Sequence, residues 1–335
     1  SPIVGVDLIR TGKDDFYVLE DNCRTPSGVS YMLENREIMM KMFPDLFHSN
    51  RVLRVDDYPT RLLQTLMSLA PKKCDSSVPT VVLLTPGHLN SAYYEHTFLS
   101  DQMGIEMVEA QDLFVENDFL YMKTVDGPKK IDVVYRRIDD DYLDPLAYNP
   151  NSVIGVPGIT HVYKTGGVNI CSAPGAGIAD DKAVYIYVPE MIKFYLGETP
   201  ILDNVQTWRC ERDDDLKYVL ENIDELVIKE VDGSGGHGML IGPKSTKQEI
   251  EDFSSKLKLH PEGYIAQPTL DLSSSPTLID NEISGRRVDL RPFCLLGEKV
   301  QLCPGGLTRV ALGKGSYVVN SSQGGGVKDT WVLAD

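Results

Sequence analysis

The feature that most constrains this chain is an apolar strand that ends in a lysine and continues into a glycine-rich loop. Residues 226–238 have the sequence Leu-Val-Ile-Lys-Glu-Val-Asp-Gly-Ser-Gly-Gly-His-Gly, in which four glycines fall within six residues after Lys229. Because glycine has no Cβ, its backbone N–H groups can approach phosphate oxygens, and the lysine supplies positive charge beside them. The segment lacks the Gly-Lys-Ser/Thr ending of a Walker loop. It predicts a nucleotide triphosphate site, with a tight hairpin that binds no ligand as the alternative.

A second candidate site lies near the start of the chain. Two apolar runs flank the turn-like sequence Gly-Lys-Asp-Asp at residues 12–15, which predicts a β-hairpin. Alternate residues of a strand share a face, so Glu20 and Asn22 point the same way and Asp7 comes alongside from the neighbouring strand. Two carboxylates and an amide oxygen form a site suited to Mg²⁺. The alternative is that these are solvent-facing polar residues of an edge hairpin.

In this order the two sites resemble a circularly permuted ATP-grasp protein. ATP-grasp enzymes use a lysine, a second lysine before a glycine-rich loop, a hinge strand, and finally an acidic residue followed by Glu-x-Asn for magnesium. Here the acidic residues come first, and residues 20–36, 287–293, 305–311 and 328–332 resemble the bacterial branch called type 2. The resemblance implies an α+β fold in which two subdomains grip the nucleotide, with an inserted Rossmann-like lobe. It also implies that both ends of the chain meet in one sheet, the C-terminal strand being 330–333.

The resemblance also implies roles for individual residues. Magnesium is expected at Asp7, Glu20 and Asn22. ATP is expected at Lys182, Lys229, Gly233, Ser234, Gly235, Gly236, His237, Gly238 and Gln267. Catalysis is expected from Arg309 and Lys229, and substrate binding from Arg24, Arg309 and Arg291.

Several of these residues have a plainer alternative. Lys182 also fits the water-facing first turn of a helix, His237 a polar loop surface, and Gln267 the end of an ordinary strand. Arg291 shares a strand face with Asp289, which favours a structural ion pair between them.

The ligase part of glutathionylspermidine synthetases has the same permuted order. That enzyme class has an arginine two residues before its first metal-binding aspartate, and this arginine helps to hold glutathione. This chain has Gly5 there. We therefore do not carry glutathione over as a substrate.

Composition favours a cytoplasmic enzyme whose partners are small molecules. The 335 residues carry a net charge of −16, which argues against nucleic acid or an anionic membrane as a partner. The six cysteines include no Cys-x-x-Cys pair, and no apolar run reaches membrane-spanning length. The pattern divides into residues 1–75, a metal-binding part of the ATP-grasp core, residues 76–165, the Rossmann-like lobe, and residues 166–335, the nucleotide-binding subdomains.

The function expected from the resemblance is an ATP- and Mg²⁺-dependent ligase. A substrate carboxylate would form an acyl-phosphate with ATP, and an amine would convert it to an amide or peptide bond. The partners would be ATP and a small-molecule or peptide acid and amine. A phosphotransferase and a non-catalytic nucleotide-binding protein remain the alternatives, since the same residues permit them.

Overall fold

The computed structural model describes residues 1–233, 238–313, 315–316, 319 and 325–335, and it has the mixed α+β architecture expected from the sequence. Its strands are β1 (Ile3–Arg10), β2 (Phe16–Asn22), β3 (Val81–Leu84), β4 (Glu106–Val108), β5 (Leu113–Glu116), β6 (Phe119–Thr124), β7 (Gly127–Ile131), β8 (Val133–Arg136), β9 (Asn169–Cys171), β10 (Asp203–Asn204), β11 (Trp208–Arg209), β12 (Leu226–Glu230), β13 (Leu240–Ile241), β14 (Tyr264–Pro268), β15 (Ser274–Ile279), β16 (Glu282–Arg291), β17 (Phe293–Leu296), β18 (Val300–Leu302), β19 (Leu307–Val310) and β20 (Gly326–Asp329). Its α-helices are α1 (Val29–Met42), α2 (Pro44–Asn50), α3 (Tyr58–Ser68), α4 (Tyr93–Met103), α5 (Asp140–Leu143), α6 (Ile159–Thr165), α7 (Lys182–Tyr185), α8 (Val188–Leu196), α9 (Asp213–Glu221) and α10 (Lys247–Leu259).

The largest sheet joins the two ends of the chain. In the described residues it has nine strands, with the order β10-β2-β1-β16-β19-β20; β15 pairs with β16, and β17 pairs with β1 and β18. The N-terminal hairpin and the C-terminal strand therefore share one sheet, as the permutation requires, although β16 and β19 lie between them. The prediction of a strand at residues 330–333 is wrong, because the pairing of β20 with β19 ends at Asp329. Trp331 instead packs its ring on Phe47, with 4.5 Å between ring centroids.

A parallel sheet forms the Rossmann-like lobe. Its order is β4-β3-β8-β9, and every residue of β3 and β8 is buried, as expected for a parallel strand covered on both faces. The small β5-β6-β7 sheet follows β4. Its first turn consists of Asn117 and Asp118, both with positive φ, which suits a two-residue hairpin. The fourth parallel strand, β9, begins at Asn169, so this sheet continues beyond residue 165, where the lobe was predicted to end.

The hinge strand predicted at residues 263–268 is β14, which lies in a third sheet with the order β11-β14-β12-β13. Helix α10 begins with a capping box in which Thr246 and Glu249 each bond the other's backbone N–H. Leu257 of α10 and Val219 of α9 are fully buried against this sheet. This rigid unit carries Lys229 on β12 and Gln267 on β14.

One buried cluster connects the large sheet to the Rossmann-like lobe. It includes Leu62 and Leu66 of α3, Leu83 of β3, Leu99 of α4 and Phe293 of β17, all at most 1% exposed. The lobe is thus packed against the sheet of the N-terminal hairpin through a continuous apolar core, which fixes the lobe's polar residues relative to that hairpin.

Candidate active site

The N-terminal hairpin brings the predicted magnesium residues to one face. Strands β1 and β2 pair antiparallel, with Asp7 opposite Glu20 and Gly5 opposite Asn22. Residues opposite each other across two strands point to the same side, so Asp7, Glu20 and Asn22 lie together. The Asn22 amide nitrogen is 3.5 Å from Oδ1 of Asp7. Asp7 is only 1% exposed, so its charge needs partners inside the protein.

Two arginines supply those partners. Arg291 donates through Nε to Oδ1 of Asp7 and through Nη2 to Oδ2 at 2.8 Å, and Nη2 of Arg309 donates to Oδ2 at 2.5 Å. Arg309 also donates to Asp289 through Nε at 2.9 Å and through Nη2 at 2.5 Å. The prediction that Asp289 pairs with Arg291 is therefore wrong. The register of β16 with β19 sets Asp289 opposite Arg309, which leaves Arg291 to Asp7.

The four charges of this cluster compensate one another. Burial by itself would raise the pKa of Asp7, but the charges and hydrogen bonds of Arg291 and Arg309 outweigh it and lower the pKa to about 2. Burial raises the pKa of Asp289 to about 6, against the opposing hydrogen bond and charge of Arg309. A phosphate or a substrate carboxylate that reaches this cluster would share the guanidinium donors with Asp7 and Asp289.

The residues present fit a magnesium ion through Glu20 and Asn22, which offer oxygen ligands on a half-buried strand face. Asp7 differs, because each of its oxygens already accepts two N–H donors, which accounts for the roughly four lone-pair positions of a carboxylate. Asp7 can join the other two only when a donor leaves. In the described part of the chain, no group of three or more His, Cys, Asp or Glu residues is arranged to hold a metal.

The two predicted lysines also approach this face. Lys182 does so from the start of α7, and Lys229 from β12 of the third sheet. Lys182 follows Asp181, whose side chain caps the first turn of α7. Its Nζ donates to the carbonyl of Gly233 at 2.6 Å and lies 3.7 Å from Oε2 of Glu20. The water-facing alternative for Lys182 does not fit these contacts, which link the glycine loop to the acidic hairpin.

Lys229 is half-buried on β12, beside Gln267 of β14. Its Nζ donates to Oε1 of Gln267 at 2.7 Å, and Nε2 of Gln267 donates to Thr207 at 3.0 Å. Burial lowers the pKa of Lys229, while the nearby charge of Glu20 opposes that shift. A desolvated ammonium group next to a carboxylate cluster is a strong site for phosphate oxygens.

The glycine loop is described only at its ends. Ser234, Gly235, Gly236 and His237, which are expected to contact phosphate, lie outside the described residues. Gly238 has a φ of +68°, and a Cβ there would lie 2.4 Å from Cδ of Glu230. A Cβ at Gly233 would likewise lie 3.0 Å from the Cβ of Glu230. Glu230 therefore packs against both described glycines, and no sequence signal distinguishes it from an ordinary strand residue.

Arg24 lies apart from the arginine cluster. Its Nε is 3.4 Å from Asp139 of the Rossmann-like lobe and 3.9 Å from Asp180. Asp180 accepts the backbone N–H groups of Cys23 and Arg24, at 2.5 and 3.1 Å. No sequence pattern indicated Asp180, because its partners lie over 150 positions away. Burial raises the pKa of Cys23 to about 12, in keeping with a packed thiol.

Comparison with known proteins identifies the family of this chain. A family model described as circularly permuted ATP-grasp type 2 matches residues 1–311. An uncharacterized protein of Synechocystis sp. is 54% identical over 332 residues, which are 99% of this chain and 69% of the relative. An uncharacterized protein of Mycobacterium tuberculosis is 53% identical over 99% of this chain and 60% of its own length. The chain thus spans about three fifths to two thirds of these relatives.

Two further matches concern named proteins. A Frankia casuarinae protein named "Putative glutamate--cysteine ligase 2-2" is 40% identical over 98% of this chain, which covers 38% of that protein. The solved apo structure of a glutathione synthetase-like effector from Globodera pallida has a TM-score of 0.63 at 11% identity, over 99% of this chain and 77% of the effector. The likeness to the effector concerns the fold. Among the described residues, the structure contains no helix with the length and apolar character needed to span a membrane.

Proposed function

Because the chain belongs to the circularly permuted ATP-grasp type 2 family, we propose that it is an ATP- and Mg²⁺-dependent ligase that joins a carboxylate to an amine through an acyl-phosphate. The observation that carries the proposal is the position of Lys182. Its Nζ contacts Gly233 at 2.6 Å and approaches Glu20 within 3.7 Å, so one cation connects the glycine loop with the acidic hairpin. A triphosphate bound under that loop would have its terminal end beside Glu20 and Asn22.

The lysines and Gln267 bind ATP in this proposal. Lys229 and Lys182 neutralise phosphate oxygens, and Gln267 on the hinge strand contacts the adenine edge. Glu20 and Asn22 would hold Mg²⁺, with Asp7 joining them once the Asn22 amide nitrogen, 3.5 Å away, has left its Oδ1, and the ion would supply charge neutralisation at the phosphates. Phosphoryl transfer depends mostly on such positioning and electrostatic stabilisation, and it needs few reacting protein groups.

The arginine cluster orients the acid substrate. A carboxylate oxygen attacks the γ-phosphorus, the bond to the β-phosphate oxygen breaks, and ADP leaves. During this transfer Arg309, which Asp289 holds in place, faces the charge that develops on the transferred group. The amine attacks the acyl carbon, inorganic phosphate departs, and the nitrogen loses a proton to give the amide. Arg24, outside the cluster, binds an acceptor carboxylate in this scheme.

The substrates are proposed only as classes, a small-molecule or peptide acid and an amine. The Frankia relative's name contains an acid and an amine, glutamate and cysteine. Since this chain covers 38% of that protein, the two amino acids enter here as candidates alongside others.

A phosphate-release screen tests the proposal. The protein is incubated with ATP, Mg²⁺ and pairs drawn from amino acids, short peptides and polyamines, and products are weighed by mass spectrometry. The proposal expects phosphate release that needs both members of a pair, and a product whose mass is their sum less water. A phosphorylated product formed without an amine would identify a phosphotransferase. Tight ATP binding with no turnover across the screen would favour a binding protein.

A further inference from the structure

A buried ion pair of the Rossmann-like lobe binds the chain segment that follows β2. Glu95 of α4 and Arg137, which follows β8, have side chains 2% and 1% exposed, and Nη2 of Arg137 lies 2.9 Å from Oε1 of Glu95. Neither residue touches the cluster of Asp7, Arg291 and Arg309. An ion pair this buried is weak evidence of stabilisation, because desolvation offsets most of its Coulomb energy, so its partners need another explanation.

Glu95 caps the helix that follows this segment. Helix α1 has no side-chain cap of its own, since its N-cap residue is Gly28. Oε2 of Glu95 accepts the N–H groups of Gly28 and Ser30, at 2.7 and 3.1 Å, and the Ser30 hydroxyl at 3.0 Å. A carboxylate at a helix N-terminus satisfies donors that the helix leaves unpaired. The beginning of α1 is therefore fixed by a residue from another lobe.

Arg137 holds the two residues just before that helix start. Its Nη1 donates to the carbonyl of Pro26 at 2.9 Å, and its Nη2 donates to the Ser27 hydroxyl at 2.7 Å. Together with the contacts of Glu95, these bonds fix residues 26–30, which are the end of the β2–α1 connection and the first two residues of α1. The peptide of Ser27 consequently has one orientation relative to the sheet.

That peptide supports Arg291. While Nε and Nη2 of Arg291 bind Asp7, its Nη1 donates to the Ser27 carbonyl at 3.2 Å. The Arg291 stem and Pro26 also meet at Gly5, where a Cβ would lie 3.2 Å from each of them. The slot that holds Arg291 against Asp7 is therefore formed partly by residues that Glu95 and Arg137 fix.

We propose that Glu95 and Arg137 are positioning residues of the ligase site, which act through Ser27 to hold Arg291 in place. This inference rests on the proposed function for its kinetic consequence. The Rossmann-like lobe then contributes to the reaction without contacting the reacting atoms. Lys182 and Lys229 lie outside this chain of contacts, so loss of the ion pair affects turnover more than ATP affinity.

The test compares Arg137→Lys with a matched control, Arg36→Lys, in the full chain. Arg36 and Asp329 form another buried ion pair, 5% and 2% exposed, that joins α1 to β20 and touches no predicted site residue. Lysine keeps the charge of either arginine but loses its planar set of donors. We expect Arg137→Lys to lower kcat by about tenfold or more with KM for ATP within about twofold, and Arg36→Lys to leave both constants within about twofold.

The melting temperatures of Arg137→Lys and Arg36→Lys are measured with the kinetics, so that a loss of kcat caused by a missing position can be separated from one caused by lower stability. Equal loss of kcat in both variants, or unchanged kcat in Arg137→Lys, would overturn the proposal. If Arg137→Lys does not fold, Ser27→Ala carries the test, because it deletes the hydroxyl that accepts from Arg137 and donates to the Thr25 carbonyl. It should also lower kcat, and wild-type kcat would overturn the proposal.

A structural measurement keeps this inference distinct from the proposed function. If the wild-type protein turns over no acid and amine pair, the ligase proposal fails, and crystal structures of the two arginine variants then decide the positioning claim. It requires Arg291 to move away from Asp7 in Arg137→Lys and to stay in Arg36→Lys. An unmoved Arg291 in both variants would contradict it.

Discussion

Replacing Lys229 with methionine separates phosphate binding from adenine binding. Methionine keeps much of the length of lysine and removes its charge. In the structure Lys229 is half-buried and its Nζ donates to Oε1 of Gln267 at 2.7 Å. The change therefore deletes a cation next to the predicted phosphates and one hydrogen bond to the predicted adenine contact.

The two losses differ in size. A charge-assisted contact to phosphate in a buried site contributes about 1.5–3 kcal/mol, which corresponds to about one to two decades in Kd. Adenosine has no phosphate and loses only the support of Gln267, about 0.5–1.5 kcal/mol. The ratio of Kd for ATP to Kd for adenosine should therefore rise in Lys229→Met.

Calorimetric titration of both ligands measures this ratio. Lys217→Met is the matched control, because Lys217 is exposed on α9 and its loss changes the net charge by the same amount. The control should leave both affinities unchanged. Equal losses for ATP and adenosine in Lys229→Met would mean that the lysine supports the strand and not the phosphates. Unchanged ATP affinity would remove the glycine loop from the site.

Three further changes probe the metal face, the pH dependence and the loop. Glu20→Gln should abolish phosphate release in the ligase assay while the melting temperature stays near that of the wild type, and wild-type turnover would exclude Glu20 as a ligand. Burial and a neighbouring positive charge lower the pKa of His96 from 6.5 to about 3, so stability is present above pH 6.5 and is lost as the pH falls toward 3. In acid melting curves His96→Gln should weaken that loss and the exposed control His260→Gln should not; identical curves for all three proteins would refute the assignment. Gly238→Ala should cost about 1–2 kcal/mol, because alanine is strained at a φ of +68° and its Cβ would clash with Glu230, and an unchanged melting temperature would argue against this backbone geometry.

Local patterns predicted much of the candidate site. The hairpin follows from two alternating runs around a turn, and its register sets Asp7 opposite Glu20. Lys182 was predicted from its place in the permuted order of the family, and only the helix start beside it, which Asp181 caps, is a local feature. Such features depend on neighbours within a few residues, so the sequence contains the information that forms them.

Contacts between distant segments could not be predicted in the same way. The pairing of Asp289 with Arg309 depends on the register of β16 with β19, and strand alternation alone suggested Arg291 as the partner. Glu95 contacts residues 65 and 67 positions away, so no local pattern relates them. The apolar residues after Asp329 resembled a strand, but they leave β19, Leu333 forms only an isolated bridge with Val52, and Trp331 packs on Phe47 of α2.

The central claim is that the substrate carboxylate attacks ATP to form an acyl-phosphate, and an isotope experiment tests it most directly. Once the screen has identified a reactive pair, the acid is labelled with ¹⁸O in its carboxylate and the released phosphate is analysed by mass spectrometry. An acyl-phosphate leaves one carboxylate oxygen on phosphorus, so the account predicts that one ¹⁸O atom appears in inorganic phosphate at each turnover. Phosphate released without the label, alongside the amide product, would contradict it.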